Sequence, residues 1–278
     1  MAAIESVCKQ TRPAHEILVI DDGSTDDTRN IVSANFPDVR YRYQDNGGVS
    51  QARNTGIRLA TGDWIALLDS DDQWHHQKLE RQACALQENP DYKICHSDEI
   101  WIRNGKRVNP MHKHAKKGGH IFRHGLPRCA ISPSSVLISK RLLEEVGTFD
   151  ESLPACEDYD LWLRVCARHP VLYLEEPLII KYGGHADQLS RRYWGMDRFR
   201  VYALQKIIRS GELSSADCLA AVQMLLEKAA IVHQGTVKRG NTDLAREYED
   251  IQAHYGALLD NLRTTRDSCS PLSMKATG

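Results

Sequence analysis

The pattern of apolar and polar residues in the first quarter of the chain predicts strands that alternate with helices. Short apolar or alternating runs that are typical of strands lie at residues 17–20, 39–44 and 64–68. Two helices are predicted between them, one capped by Ser24 or Thr25 and ending near Pro37, the other at residues 50–60 before Gly62. Strands and helices that alternate with short connections indicate a parallel, doubly wound sheet.

The same periodicities extend the prediction through the rest of the chain. Further elements are a helix at 76–88, a strand at 93–103, a strand and helix at 134–147, a helix at 156–169 and closing strands at 171–182. The basic, His-rich stretch 104–125 lacks periodicity, so we expect a mobile loop there. Three segments after residue 196 have apolar residues at helical spacing and predict three helices. We therefore divide the chain into an α/β domain (1–190), a helical extension (191–264) and a disordered tail (265–278).

The composition excludes several classes of protein. Lys and Arg (36) nearly balance Asp and Glu (37) in 278 residues, so the overall charge gives no reason to expect a nucleic acid partner. The eight cysteines contain no CxxC pair, which argues against a zinc ribbon or a disulfide framework and favours reduced, cytoplasmic thiols. No apolar run reaches the roughly 18 to 20 residues of a membrane span. We expect a globular, cytoplasmic protein.

Carboxylates are concentrated at three predicted element ends. They comprise Asp21 and Asp22 after the first strand, Asp69, Asp71 and Asp72 after the third, and Glu157, Asp158 and Asp160 at the start of a helix. Acids at one such end would be ordinary turn or helix N-terminal residues. Ligands of open α/β sheets bind at the carboxyl ends of strands, and paired carboxylates there bind hard divalent cations shared with a diphosphate. Three clusters together therefore indicate a functional site.

Six segments occur in an order and spacing that resemble family 2 of the inverting glycosyltransferases. They read AIESVCKQT, ILVIDDGSTDDT, NGGVSQARNTGI, GDWIALLDSDDQW, SSVLISKRLLEEVGTFDESL and CEDYDLWLRV, and the resemblance covers roughly residues 3 to 190. The resemblance implies a GT-A fold, a Rossmann-like, mostly parallel sheet with helices on both faces, here followed by C-terminal helices. It also implies that a sugar moves from a nucleoside diphosphate sugar, most simply a UDP-sugar, to an acceptor hydroxyl with inversion.

The resemblance assigns roles to individual residues as well. It implies nucleotide binding by Asp22, Asp69 and Arg53, ligation of Mg or Mn by Asp71 and His185, and general base catalysis by Asp158. The implied partners are the nucleotide sugar and a saccharide or lipid-linked acceptor, without nucleic acid. The implied setting is assembly of bacterial cell-surface polysaccharide or lipopolysaccharide, in the cytoplasm or at the inner face of the cytoplasmic membrane.

Other enzyme and signalling classes fit less well. A phosphatase of the haloacid dehalogenase type also has D-x-D after a strand, but Gln73 replaces the Thr or Val that its motif requires. A response-regulator receiver is shorter and has no use for the third acidic cluster. The open alternative is a non-catalytic or inactive truncated relative that acts as a binding protein. We expect that the given chain lacks the first strand of the resembled family, which would weaken its nucleotide pocket.

Several residues keep two interpretations. Trp74 and Trp162 either line the sugar pocket or pack in the core, and His185 is either a ligand or a solvated side chain. Arg191 and Arg192 either clamp phosphate or are solvated. His112, His114, His120 and His124 lack Cys or acidic partners at zinc-site spacing, which favours an acceptor-binding loop over a zinc site.

Overall fold

The computed structural model describes residues 1–109, 115–184 and 193–268. Its contacts divide the chain into two compact units, Met1–Trp194 and Gly195–Gly278. The first unit combines helices with two sheets, and the second is helical in its described residues.

The first half of the Met1–Trp194 unit alternates helices and strands, as predicted. Its elements are α1 (Ala2–Cys8), β1 (Leu18–Asp22), α2 (Thr28–Asn35), β2 (Arg40–Gln44), α3 (Val49–Leu59), β3 (Trp64–Ala66), β4 (Gln73–Trp74) and α4 (Lys78–Glu88). Strands β1 and β2 pair in parallel and form a two-stranded sheet. The short connections through α2 explain this pairing, because a helix returns the chain so that the second strand runs in the same direction.

A second, six-stranded sheet forms the centre of this unit. It contains β3 and β4 together with β5 (Ile94–Arg103), β6 (Lys106–Val108), β7 (Leu137–Ser139) and β8 (Leu172–Gly183), in the order β3-β7-β5-β8-β4 with β6 paired to β5. Strands β5 and β8 are parallel, whereas the other pairs in this sheet are antiparallel. The α/β class that the sequence predicts is therefore observed, with a mixed sheet at its centre.

Helices cover the six-stranded sheet and complete its core. They are α5 (Phe122–Gly125), α6 (Lys140–Val146) and α7 (Glu157–Arg168), and a 3-10 turn at Pro133–Ser135 lies between α5 and β7. Ile94, Ile138 and Leu161 are fully buried. The apolar face of α7 buries Leu161 and Val165, and this packing fixes where the acidic first turn of α7 lies.

Three local predictions are wrong in detail. Helix α2 begins at Thr28 after Asp27, not after Ser24 or Thr25, because Asp21 accepts a hydrogen bond from the Ser24 amide (2.7 Å) and forms a turn. Strand β3 ends at Ala66 rather than at residue 68. The stretch expected to be a loop contains β6 and α5, because the hairpin turn at Asn104 and Gly105 returns the chain along β5. Residues 110–114 of that stretch lie outside the described part.

The Gly195–Gly278 unit contains the three predicted helices. They are α8 (Asp197–Arg209), α9 (Ser215–Lys238) and α10 (Thr242–Ser268). The Ser214 hydroxyl caps α9 by accepting a hydrogen bond from the Asp217 amide at 3.1 Å. Helix α10 runs past residue 264, where the sequence predicts the start of a disordered tail, and residues 269–278 of that tail lie outside the described residues. Within the described residues, no helix has the length and apolar character needed to span a membrane.

Candidate functional site

The end of β1 places Asp21 and Asp22 next to the Asn46-Gly47-Gly48 loop. Asp21 is buried and accepts hydrogen bonds from the Tyr41 hydroxyl and the Ser24 amide. Burial acts to raise the pKa of Asp21, but these hydrogen bonds outweigh it and hold the pKa below its usual value. Asp21 is therefore an ionised residue that holds the turn after β1.

The carboxylate of Asp22 holds the glycine loop. Its Oδ1 accepts hydrogen bonds from Gln44 Nε2 (2.8 Å) and the Gly47 amide (2.9 Å), and its Oδ2 accepts one from the Gly48 amide (2.8 Å). Gly23 is required beside it, because its φ is +88° and an added Cβ would lie 2.8 Å from the Asn46 amide nitrogen. The predicted nucleotide-binding residue thus anchors a loop at the edge of the site.

The segment after β3 holds three acids in different surroundings. Asp72 is buried, and its carboxylate accepts hydrogen bonds from the Ser134 hydroxyl (2.6 Å) and the Tyr182 amide (3.3 Å). Burial raises the pKa of Asp72 to about 6. Asp71, the predicted metal ligand, is exposed. The loop therefore buries Asp72 as a structural contact and leaves the preceding acid, Asp71, at the surface.

The residue before the acids of α7 has an unusual backbone conformation. Cys156, the residue before the helix, has a φ of +61° in the left-handed region, which is rare for residues other than glycine. Asp160 in the first turn is buried and forms an ion pair with Arg164 at 2.9 Å. Because Arg164 also donates to the carbonyls of Val146 and Thr148, Asp160 serves to hold α7 against the preceding loop.

Arg53 on α3 connects the acids after β3 with the acids of α7. Its guanidinium donates to Asp69 Oδ1 at 2.7 Å and to Glu157 Oε1 at 2.6 Å, and it lies 5.1 Å from the centre of the Phe149 ring. Burial acts to raise the pKa of Asp69, but the Arg53 charge outweighs it and lowers that pKa. Burial and the charge of Asp158 raise the pKa of Glu157 to about 7, against the effect of Arg53. Two residues that the sequence predicts to bind nucleotide are thus in direct contact.

Asp158 has different surroundings from the other two acids of α7. Its Oδ2 accepts a hydrogen bond from the Cys129 thiol at 3.2 Å, and its Oδ1 accepts one from the Tyr159 amide at 2.7 Å. Burial and the Asp158 charge raise the pKa of the Cys129 thiol, so this thiol keeps its proton and acts as a donor. The Asp158 carboxylate is therefore held in place by a thiol and a backbone amide.

Two lysines of the site, Lys116 and Lys181, had no role assigned from the sequence. Lys116 donates to Glu99 at 2.8 Å in an almost fully buried ion pair, and Lys181 on β8 lies 3.5 Å from the Ser132 hydroxyl. The Lys181 charge interacts with Asp72, Glu99, Asp69 and Asp158. A lysine inside the apolar strand LIIKY is the signal that could have found this residue.

Both tryptophans beside the acids pack in the interior. Trp74 is buried and donates from its indole to the Ser134 carbonyl at 2.9 Å, and Trp162 is 4% exposed. In the part of the chain that the structure describes, no group of three or more His, Cys, Asp or Glu side chains could hold a metal ion by itself. His185, Arg191 and Arg192 lie outside the described residues, as do His112 and His114.

Comparisons with known proteins agree with this architecture. A curated beta-1,3-glucosyltransferase of Escherichia coli, WfgD, whose name gives UDP-Glc and a GlcNAc-diphosphoundecaprenol as substrates, is 36% identical over 173 residues, 59% of this chain and 63% of that protein. A Rickettsia prowazekii protein described as an uncharacterized glycosyltransferase is 32% identical over 68% of this chain and 60% of its own length. A Rickettsia felis protein with the same description is 35% identical over 63% of this chain, which spans only 29% of that relative.

Solved structures show the same fold. Residues 1-349 of S. aureus TarS match with a TM-score of 0.60 and 16% identity, covering 92% of this chain and 87% of that one. The GT-A fold expected from the sequence is thereby confirmed. The family model described as glycosyl transferase family 2 matches residues 2–146, slightly more than half of the chain. The chain therefore belongs to glycosyl transferase family 2.

Proposed function

We propose that the protein is an inverting glycosyltransferase that moves a sugar from a UDP-sugar to an acceptor hydroxyl, with Asp158 as the general base. The observation that carries this proposal is the contrast among the three acids of α7. Glu157 is paired with Arg53 and Asp160 with Arg164, whereas Asp158 has no cation within ion-pair distance among the described residues. A carboxylate that is not held by an ion pair can contact the acceptor hydroxyl and take its proton without giving up a cation.

The proposed reaction is a single displacement. The acceptor oxygen forms a bond to the anomeric carbon while its proton passes to Asp158, and the bond from that carbon to the diphosphate oxygen breaks on the opposite face. The electron pair of the broken bond leaves with the nucleoside diphosphate. The Cys129 thiol and the Tyr159 amide orient the Asp158 carboxylate for this transfer.

The residues after β3 fit a divalent ion that is shared with the diphosphate. Asp71 offers an exposed carboxylate oxygen, the kind of ligand that Mg and Mn prefer, and Mg commonly binds one or two carboxylates together with substrate phosphates. We propose that Asp71 holds the ion together with His185. When bound, the ion would neutralise charge on the leaving diphosphate.

The remaining roles follow from the same proposal. Asp22, Asp69 and Arg53 form the nucleotide side of the site, with Arg53 linking it to the base side. The name of the related E. coli enzyme supports a lipid-linked saccharide as acceptor. We place the reaction in bacterial cell-surface polysaccharide or lipopolysaccharide assembly, in the cytoplasm or at the inner face of the cytoplasmic membrane.

The proposal is tested by separating binding from turnover. We expect calorimetry with UDP, GDP, CDP and dTDP, with and without Mn, to show binding of UDP, and NMR with UDP-sugars to show slow donor hydrolysis with inversion. Asp158→Asn should keep UDP binding but lose turnover by at least roughly 100-fold, the usual scale of base catalysis. Asp160→Asn is not a suitable control because Asp160 holds α7, so Asp98→Asn on β5 serves instead and should leave turnover unchanged.

A non-catalytic binding protein is the second candidate. The observation that favours it is the separation of the strands into two sheets, because β1, which ends at Asp22, is not paired with β3 in the described residues. In that case UDP would bind while hydrolysis and transfer stay at background, and Asp158→Asn would change neither property.

A further inference from the structure

The Lys181 ammonium group lies within electrostatic range of several acids of the site. Its charge interacts with four carboxylates from three parts of the chain, namely Asp72 and Asp69 after β3, Glu99 on β5 and Asp158 on α7. It therefore senses both the acids assigned to the donor side and the proposed base.

The other two cations of the site are already neutralised by direct contacts. Arg53 donates to Asp69 and Glu157 at 2.7 and 2.6 Å, and Lys116 donates to Glu99 at 2.8 Å. In contrast, Lys181 has no carboxylate within 4.0 Å in the part of the chain that the structure describes. Its polar contact there is the Ser132 hydroxyl at 3.5 Å, and its ammonium also lies 5.2 Å from the centre of the Trp101 ring.

An ammonium group has three N–H donors and stays charged at neutral pH, so a partly buried one without an ion pair is costly. A bound anion would supply the missing acceptors. The Ser132 hydroxyl and the Trp101 ring hold the side chain in place without competing for its charge, because neither carries a negative charge.

We propose that Lys181 binds a phosphate oxygen of the donor diphosphate and is a cation of the chain itself that stabilises the leaving group. This inference rests on the proposed function, since it assumes a nucleoside diphosphate at this site. It predicts a part of diphosphate affinity that does not require a metal ion. The β-phosphate is the group concerned, because it is the one attached to the sugar.

The test compares UDP with UMP, which lacks the β-phosphate. Titration calorimetry in EDTA gives the ratio of the two affinities for wild type, Lys181→Gln, Lys181→Arg and the control Lys106→Gln on the exposed strand β6. We expect Lys181→Gln to lower the UDP to UMP affinity ratio by about 10-fold, the scale of a charge-assisted hydrogen bond, and to leave UMP affinity unchanged. Lys181→Arg should keep most of the ratio, and Lys106→Gln should keep all of it.

A second measurement uses the wild-type chain alone. Acetylation of lysines followed by mass spectrometry should show that UDP, but not UMP, protects Lys181. An unchanged affinity ratio in folded Lys181→Gln, or equal labelling with UDP and UMP, would overturn the role of Lys181. If wild type binds none of the four nucleoside diphosphates even with Mn, the proposed function itself fails, which is a different result from UDP binding that ignores Lys181.

Discussion

Replacing Arg53 with Met would remove the guanidinium that connects the two acidic ends of the site. The side chains of Arg53 and Glu157 are 12% and 6% exposed, and that of Asp69 is 30% exposed. The variant leaves both carboxylates without this cation. Removing one member of a buried ion pair costs roughly 3–5 kcal/mol. Water screens the interaction between Arg53 and the partly exposed Asp69, so that ion pair contributes less. We therefore expect the unfolding free energy to fall by about 3 kcal/mol.

The loss should depend on pH through Glu157. Burial and the Asp158 charge raise the pKa of Glu157 to about 7 against the effect of Arg53, so the variant should raise it further. A carboxyl group with a raised folded pKa costs stability as pH rises from its ordinary value of 4.5 through the folded value. Below that pKa the group is neutral and needs no cation. We therefore expect the loss at pH 6 to be about 1 kcal/mol smaller than at pH 8.

Urea unfolding followed by tryptophan fluorescence measures this loss. All five tryptophans lie in the Met1–Trp194 unit, so the signal reports that unit. Arg58→Met is the matched control on α3, since its side chain is 61% exposed and 3.7 Å from Glu151, and it should change stability by less than about 0.5 kcal/mol. Adding Glu157→Gln to Arg53→Met should recover part of the loss. Equal losses in the two arginine variants, or a loss that does not change with pH, would refute the reasoning.

Two further variants test the metal site and the interior. Asp71→Ala should abolish the Mn-dependent part of UDP affinity in calorimetry. The control Asp63→Ala, at the residue before β3, should keep it. An Mn effect that is retained in Asp71→Ala would exclude Asp71 as a ligand. Burial lowers the pKa of Lys78 from its ordinary value of 10.5 to about 7. Between these two pH values the unfolded chain binds a proton that the folded chain does not, so the unfolding free energy rises with pH. In Lys78→Met, urea unfolding should show this rise reduced by about 2–4 kcal/mol, and an identical rise in both proteins would contradict the assigned pKa.

Local patterns predicted most elements of the fold because helical and strand periodicity are properties of short segments. Strands β1 and β2, helix α3 and the three C-terminal helices follow directly from them. The start of α2 did not follow, because the Asp21 side chain competes for the Ser24 amide. The sequence shows both residues but not which hydrogen bond is formed.

Contacts between distant residues explain the rest of what the sequence analysis missed. Arg53 and Glu157 are 104 positions apart, and Ser134 is 62 positions from Asp72. No local pattern encodes such pairs, so Glu157 had no assigned partner and Asp72 no assigned role. The same applies to Lys181, whose neighbours come from several separate elements.

Asp22 indicates how one side chain can serve both the fold and a ligand. A carboxylate has about four acceptor positions. Hydrogen bonds from Gln44 and from the amides of Gly47 and Gly48 use three of them, so the described contacts leave one on Oδ2. Uracil has a single ring N–H between two carbonyl groups. The free acceptor position on Oδ2 is complementary to that single N–H, whereas a base edge with two donors would lack a second acceptor on Asp22, since Gln44, Gly47 and Gly48 already donate to it. The hydrogen bonds that hold the loop therefore also limit which base the proposed site can accept.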